Sequence, residues 1–196
     1  MNKSIDFYFD FISPYAYLAH KRITKIENLE KIKFNYKPIL LGGLHNLRSI
    51  TPAAFIEAKK KFTINDCQLV AKKLKIKFKF NDKFPINSLS LMRGILIIDQ
   101  NKRKKYIEKF FDAYWSLNLD LSNNKVKEKI LKELNINCDQ FFKKINDPIT
   151  KDLLKDLTQE AYNKEVFGAP TFILNKKLFW GQDRLDYVLD EYKKSI

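Results

Sequence analysis

The stretch FYFDFISPYAYLAH, from Phe7 to His20, decides the fold. Its first half is apolar and aromatic, which is typical of a buried strand, and SPY then ends the strand and opens an amphipathic segment. Pro14 suits the first turn of a helix, because the N–H that proline lacks would be unpaired there. The pattern predicts a strand over residues 5–12 and a helix that runs to about residue 28, with Ser13 at the junction.

The segments after this helix continue a sheet and then become helical. Residues 33–40, KFNYKPIL, predict a second strand parallel to the first, since a helix connects the two. From residue 41 to about residue 166 the spacing of apolar residues is helical. Asp120 and Asp147 are predicted helix caps in this region. The candidates for the buried face of the first helix are Tyr17, Leu18, Ile23 and Ile26.

The chain returns to the sheet near its end. PTFILNKKLFWG predicts a hairpin with strands over residues 171–174 and 178–180, a turn over 175–177, and a final helix over 182–194. This order predicts an α/β protein with a thioredoxin-like fold and a large all-helical insertion. The predicted domains are a thioredoxin-like domain of residues 1–40 and 167–196 and an inserted helical domain of residues 41–166.

Composition predicts a compact globule with a basic surface. A chain of 196 residues buries about 70% of its unfolded surface, and 45% of these residues are hydrophobic. Lys and Arg number 37 against 23 Asp and Glu, a formal charge of +14. The lysines are scattered over every segment rather than gathered in a patch, so we expect no nucleic-acid partner.

Cysteine, histidine and hydropathy exclude several other classes of protein. Cys67 and Cys138 belong to no paired motif, so we expect no disulfide and a reducing, cytoplasmic location. The aspartates in the N-terminal run exclude a signal peptide, and no apolar stretch reaches the ~20 residues that span a bilayer. His20 and His45 lack a third ligand at suitable spacing, so no metal site is expected.

Ser13 occupies a position that suits an anion. Ligands gather beyond the carboxyl ends of parallel strands, where a helix presents free N–H groups and a positive dipole end. Such a helix N-terminus stabilises a thiolate, but a serine supplies none itself. The alternative is that Ser13 only caps the helix, a contact worth about 1 kcal/mol.

The second candidate site is FGAPTF, Phe167 to Phe172. A cis bond before Pro170 would turn the backbone outward and leave its N–H and C=O free for an extended ligand. The alternative is a trans proline that merely begins an edge strand. Gln182 and Asp183, in WGQDRLDYV, stand at the start of the last helix, where helix capping explains either residue.

Four stretches together resemble a known family. FYFDFISPYAYLA, FPINSLSLMRG, FFDAYWSLNLDLS and VFGAPTFILNKKLFWGQDRLDYV follow the order of the 2-hydroxychromene-2-carboxylate isomerase family. The related kappa-class glutathione transferases share them, and both groups belong to the DsbA-like branch of the thioredoxin fold. The resemblance covers nearly the whole chain, and the last stretch is the most specific.

The resemblance implies a glutathione site. Ser13, followed by Pro14, stands where redox relatives have the first cysteine of CxxC, and in the family this serine hydrogen-bonds the glutathione sulfur. The backbone of Ala169, before Pro170, would pair with the cysteinyl part of glutathione. The implied contacts to the two ends of the tripeptide are Gln182 and Asp183 for the γ-glutamyl group and Lys59 for the glycyl carboxylate, with Lys60 and Lys61 as open alternatives.

The implied substrate pocket departs from the family at one position. The family generally has an asparagine nine residues before the lysine, where this chain has Ile50. A polar contact is therefore missing or comes from a neighbouring residue: Asn46, Arg48, Ser49 or Thr51. The other implied pocket residues are Tyr15, Asn87, Arg93 and Trp115. Helix capping by the asparagine or Ser88, core packing by the tryptophan and ion pairing by the arginine are the alternatives.

The implied activity is that of a glutathione-dependent isomerase. Reversible addition of the thiolate to an unsaturated aromatic keto-acid would change the geometry of the double bond. A kappa-like transferase or peroxidase, acting on an electrophilic small molecule, is the alternative from the same site. A disulfide oxidoreductase is disfavoured because Ser13 and Ala16 replace both cysteines. A non-catalytic basic binding protein is the alternative from another class, and the resemblance also suggests a homodimer.

Overall fold

The computed structural model describes residues 4–30 and 32–195, within which four strands form one mixed sheet. These strands are β1 (Ile5–Phe9), β2 (Phe34–Pro38), β3 (Thr171–Leu174) and β4 (Lys177–Trp180). Their order is β2-β1-β3-β4, with β1 parallel to β2 and antiparallel to β3. The predicted strand–helix–strand unit and terminal hairpin are confirmed, as is the thioredoxin-like fold class.

The helices of the described residues occupy the predicted regions. They are α1 (Pro14–Glu30), α2 (Leu41–Leu47), α3 (Glu57–Leu74), α4 (Leu89–Ile97), α5 (Gln100–Trp115), α6 (Asn124–Glu133), α7 (Cys138–Lys144), α8 (Pro148–Asn163) and α9 (Leu185–Lys194), with 3₁₀ turns at Ala53–Phe55 and Gln182–Arg184. The described part of the chain has no strand between β2 and β3. The predicted helical character of this region is confirmed, and its treatment as a separate domain stays a prediction.

Several local details differ from the prediction, among them the bounds of β2, which is shorter than residues 33–40. β1 ends at Phe9 rather than at residue 12, because the Ser13 N–H donates to the Asp10 carbonyl at 3.1 Å and turns the chain. Asp147 caps α8 as predicted, accepting from the Ile149 N–H at 2.8 Å. Asp120 does not cap α6, because Asn123 stands closer to its first turn and accepts from the Lys125 N–H. In the hairpin, lysine 177 belongs to β4 and not to the turn.

Aromatic side chains fill the core between the sheet and the helices. Phe7 stacks between Phe9 and Phe172 at centroid distances of 5.3 and 5.4 Å. Trp115 is fully buried, and its Nε1–H donates to the Phe11 carbonyl at 2.8 Å. On α1 the predicted face packs inward, although one member remains half-buried: Tyr17, Leu18 and Ile23 are buried, and Ile26 is partly exposed.

An ionic network fastens α1 to α5. His20, which is buried, contacts the Glu108 carboxylate through Nε2 and the Tyr36 hydroxyl through Nδ1. Lys21 pairs with the same carboxylate and with Asp112. Burial alone would raise the pKa of Glu108, but hydrogen bonds from His20 and Lys21 outweigh it and lower the pKa to about 2. These contacts hold the middle of α1, the helix that follows Ser13, against α5.

Two further properties bear on the predictions from composition. Cys67 and Cys138 are both unpaired, and the first is buried. Of the helices in the described residues, none combines the length and the apolar composition needed to cross a membrane.

Candidate active site

A cavity of about 670 Å³ lies where β1, β2 and β4 end and where β3 begins. Its wall includes Ser13 and Tyr15 from the start of α1, Leu41 from α2, and Ala169 from the loop before β3. These segments are far apart in sequence, and the sheet brings them together at one edge. The location agrees with the expectation for ligands of open α/β sheets.

Ser13 is buried, and its side chain makes two hydrogen bonds. Its Oγ accepts from the Ala16 N–H at 3.1 Å, which is the capping contact, and donates to the Ala169 carbonyl at 2.8 Å. The side chain therefore caps α1 and also joins it to the loop before β3. The Tyr15 N–H, in the first turn, has no partner among the described residues. It is a free donor beside the serine.

The Ala169–Pro170 peptide bond is cis. Pro170 is buried, and its carbonyl accepts from the Gly181 N–H at 2.9 Å. The Ala169 N–H has no partner within the described ranges. Since Ala169 lines the cavity, its N–H and its carbonyl are available to an extended ligand once the Ser13 hydroxyl turns away.

Gly168 lets the Trp180 ring approach the backbone of this loop. A Cβ at Gly168 would lie 2.5 Å from Trp180 Nε1, so any larger residue displaces the ring. Trp180 also packs on Phe167 at a centroid distance of 4.9 Å, and both rings line the cavity. The glycine therefore sets the position of one cavity wall.

We expect Gly168→Ala to destabilise the fold by about 1–3 kcal/mol, because the added methyl group forces the indole ring outward. The emission of Trp180 should shift toward that of a more exposed ring, since Trp115 is buried elsewhere. Urea denaturation and tryptophan fluorescence measure both effects. Gly42→Ala is the control, because its Cβ would meet nothing within 4 Å. Equal stability of the two variants would contradict the prediction.

Of the three candidate lysines, two line the cavity. Lys59 and Lys60, on α3, are lining residues, whereas Lys61 points to Glu57 at 3.5 Å and does not line the cavity. Within the described residues, no carboxylate forms an ion pair with Lys59 or Lys60. Either can therefore meet the carboxylate of a ligand.

Ile50 lines the cavity together with its neighbour Thr51. The other proposed sources of a polar contact are not lining residues: Asn46, Arg48 and Ser49. The guanidinium of Arg48 instead donates to the carbonyls of Tyr162 and Val166. Of the four proposed sources of a polar contact, Thr51 is therefore the one that lines the cavity.

Gln182 and Asp183 follow Trp180 but are not lining residues of this cavity. Gln182 is buried, and its carbonyl accepts from Arg22 at 3.1 Å. Asp183 is exposed and pairs with Arg184 at 2.7 Å. They lie just after β4, whose last residue, Trp180, does line the cavity.

The candidate pocket residues divide into two groups. Tyr15 and Asn87 line the cavity, while Arg93 and Trp115 do not. The Tyr15 hydroxyl donates to Asp66 at 2.8 Å; burial, and then this hydrogen bond, raise its pKa. Asn87 accepts from the Leu89 N–H at 2.9 Å, the capping contact offered as its alternative role.

Neither Arg93 nor Trp115 reaches the cavity, for different reasons. Arg93 donates to the Ile145 carbonyl at 3.4 Å, and among the described residues no acid pairs with it. Its Nε is buried without a partner. Trp115 lies in the core, where it supports the rings of Phe80 and Phe84, which do line the cavity.

Sequence reasoning missed most of the apolar lining. The aromatic lining residues that it did not name are Phe55, Phe80, Phe84 and Trp180, and it named Phe167 only as the start of FGAPTF. A second cis peptide, Phe84–Pro85, lies in this wall, and FP within FPINSL was its only signal in the sequence. His45 also lines the cavity, and burial lowers its pKa. In residues 4–30 and 32–195, no cluster of His, Cys, Asp or Glu is arranged to hold a metal ion.

Known proteins of this architecture include enzymes. The 2-hydroxychromene-2-carboxylate isomerase of Sphingobium xenophagum is 24% identical over 196 residues, which cover 96% of this chain and 97% of that protein. Human glutathione S-transferase kappa 1 is 22% identical, with coverage of 94% and 88%. A solved structure of 2-hydroxychromene-2-carboxylate isomerase superposes with a TM-score of 0.89 at 23% identity, over 97% of this chain and 94% of that one.

These likenesses extend over the length of the chain, including the helical region between β2 and β3. The fold is therefore DsbA-like, as the sequence predicts. The family model described as a DSBA-like thioredoxin domain matches residues 4–193, so the chain belongs to the DSBA-like thioredoxin family.

Proposed function

We propose that the protein is a glutathione-dependent isomerase of the 2-hydroxychromene-2-carboxylate isomerase type. The observation that carries the proposal is the pair of unpartnered N–H groups, on Tyr15 and Ala169, beside the Ser13 hydroxyl in a cavity without a cysteine. Curated relatives with this name and kappa glutathione transferases have similar sequences over nearly the whole chain. These similarities support a function as an enzyme that acts on small molecules.

The residues present fit glutathione. The Ala169 N–H and carbonyl suit the cysteinyl backbone, while the Ser13 hydroxyl and the Tyr15 N–H suit its sulfur. Lys59 or Lys60 would take the glycyl carboxylate. Gln182 and Asp183, which follow the lining residue Trp180, would take the γ-glutamyl group.

Catalysis would depend on the groups of this chain that stabilise negative charge on the sulfur and on the substrate. Bound glutathione supplies a thiolate that adds reversibly to an activated alkene carbon, so that the weakened bond rotates before the thiolate leaves. The positive end of α1 and the donors of Ser13 and Tyr15 lower the free energy of a sulfur anion. The lysine not used by glutathione would hold the substrate carboxylate and the negative charge that develops next to it. The aromatic walls exclude water.

A transferase is the second candidate, and the position of Ile50 favours it. Ile50 and the phenylalanine rings make most of the cavity wall apolar. The lysines in the wall are Lys59 and Lys60, and burial lowers the pKa of the lining histidine, His45. Such a wall suits an uncharged aromatic electrophile as well as a keto-acid. In that case the thiolate would remain bonded to the product.

Activity assays separate the two candidates. We expect the protein to interconvert the cis and trans forms of a carboxylated arylidene pyruvate only when glutathione is present, with no net loss of thiol. Absorbance follows the isomerisation, and a thiol reagent follows glutathione. S-methylglutathione, which binds but has no free thiol, is the control and should inhibit. Turnover without glutathione would contradict the proposal, and stoichiometric loss of thiol with 1-chloro-2,4-dinitrobenzene would favour the transferase.

The proposed compartment is the cytoplasm, where glutathione keeps thiols reduced. The two unpaired cysteines agree with this location. The proposed partner is a small aromatic or electrophilic molecule rather than a nucleic acid.

A further inference from the structure

Asp10 is a buried carboxylate that the proposed reaction does not use. It follows β1 directly and is 0% exposed. One carboxylate oxygen accepts from the Ile12 N–H at 3.1 Å, and the other accepts from the Leu41 N–H at 2.9 Å. Burial raises the pKa of the Asp10 carboxyl, and the neighbouring Ser88 side chain is among the groups that lower it. Among the described residues no cation pairs with Asp10, so the hydrogen bonds to its carboxylate come from neutral donors.

The neighbours of the Asp10 side chain lie in different walls of the cavity. Ile12 precedes Ser13 in the loop between β1 and α1, Leu41 begins α2, and Ser88 follows Asn87 at the start of α4. Ile12, Leu41 and Asn87 are themselves lining residues. One side chain therefore hydrogen-bonds two segments that are about thirty residues apart and lies beside a third.

We propose that Asp10 is a positioning residue of this site, whose side chain holds these walls together and through them fixes the orientation of Ser13. The proposal rests on the proposed function for its ligand. The main-chain carbonyl of Asp10 also stabilises the loop between β1 and α1, because it accepts from the Ser13 N–H at 3.1 Å. An asparagine cannot replace it, because the amide has one oxygen and its NH₂ group would face a backbone donor.

The test compares Asp10→Asn and Ser88→Ala with Leu131→Ala, a core truncation on α6 that is buried but not in the cavity lining. We expect Asp10→Asn to weaken glutathione binding roughly tenfold in calorimetry and to move the Ile12 and Leu41 amide resonances. Ser88→Ala should weaken binding about threefold. Leu131→Ala should lower the melting temperature while leaving glutathione affinity unchanged.

Unchanged affinity in Asp10→Asn would overturn the proposal, as would an equal loss in Leu131→Ala. If Asp10→Asn does not fold, Ser88→Ala decides, and wild-type affinity in that variant overturns the proposal. If the wild type does not bind glutathione, the proposed function fails on its own. Anilinonaphthalene sulfonate, a dye that binds apolar cavities, then replaces glutathione as the probe. A dye affinity that differs at least threefold between wild type and Ser88→Ala supports the positioning role, and equal affinities overturn it.

Discussion

Replacing Ser13 with alanine is expected to weaken glutathione binding roughly 10- to 100-fold, the range for losing a hydrogen bond to a charged group. The hydroxyl would turn from the Ala169 carbonyl to the sulfur, and the cysteinyl N–H of the ligand would take its place on that carbonyl. Without the hydroxyl the thiolate loses a donor, so the pKa of the bound thiol should rise and less thiolate should form at a given pH. Calorimetry and ultraviolet thiolate absorbance against pH measure the two effects.

The control for this variant is Asn123→Ala. Asn123 caps α6 as Ser13 caps α1, and its oxygen accepts from the Lys125 N–H at 2.9 Å. Each variant loses a cap worth about 1 kcal/mol, but only one of these caps adjoins the cavity. Equal glutathione affinity of Ser13→Ala and wild type would mean that the serine is a cap and nothing more.

The largest effect on stability is expected from Trp115→Ala, a loss of about 3–5 kcal/mol. The indole is fully buried and contacts the rings of Tyr114, Phe78, Phe80 and Phe84. Domains are stable by only about 5–15 kcal/mol, so a large part of the total would be lost. Urea denaturation followed by circular dichroism measures the change.

Two companion variants identify the cause. Trp115→Phe keeps a ring but leaves the Phe11 carbonyl without its donor, which should cost about 1–3 kcal/mol. Trp180→Ala removes an indole that is 52% exposed and should therefore change the free energy of unfolding much less. If both tryptophans were equally costly to remove, burial of Trp115 would not be the main source of its contribution.

Local patterns in the sequence predicted the elements that build the site. SPY at the end of an aromatic run and FGAPTF before the last hairpin identified the two loops that meet in the Ser13–Ala169 hydrogen bond. Both signals act through backbone geometry, since proline fixes φ and tolerates a cis bond. Residues of this kind can be recognised in the sequence without knowledge of the tertiary structure.

Contacts between distant segments could not be predicted from the sequence. The partner of Tyr15 is Asp66, which lies 51 residues away on α3, and no local pattern joins them. Arg93 and Trp115 belong to stretches that resemble the family, but their side chains point away from the cavity, which depends on packing between helices. The Asp120 cap failed because Asn123 is an equally good capping residue closer to the helix.

Asp10 did give a signal in the sequence, a charged residue within the predicted strand of residues 5–12, but Asp6 gave the same signal. Buried carboxylates are rare without partners, so an aspartate that is buried at this point implies donors nearby. The sequence could not say which donors, because Leu41 reaches Asp10 only through the pairing of β1 with β2.

The Ser13–Ala169 hydrogen bond joins residues that are 156 positions apart, and this separation affects the order in which parts of the structure form during synthesis. During synthesis α1 emerges from the ribosome long before β3, while α8 precedes β3 by only a short loop, and helices form from near neighbours in sequence. Closing so long a loop carries an entropic cost that only the finished sheet offsets. The nascent chain can therefore form its helices from α1 to α8 before this hydrogen bond closes, and it becomes competent to hold a ligand only when β3 and β4 have been made.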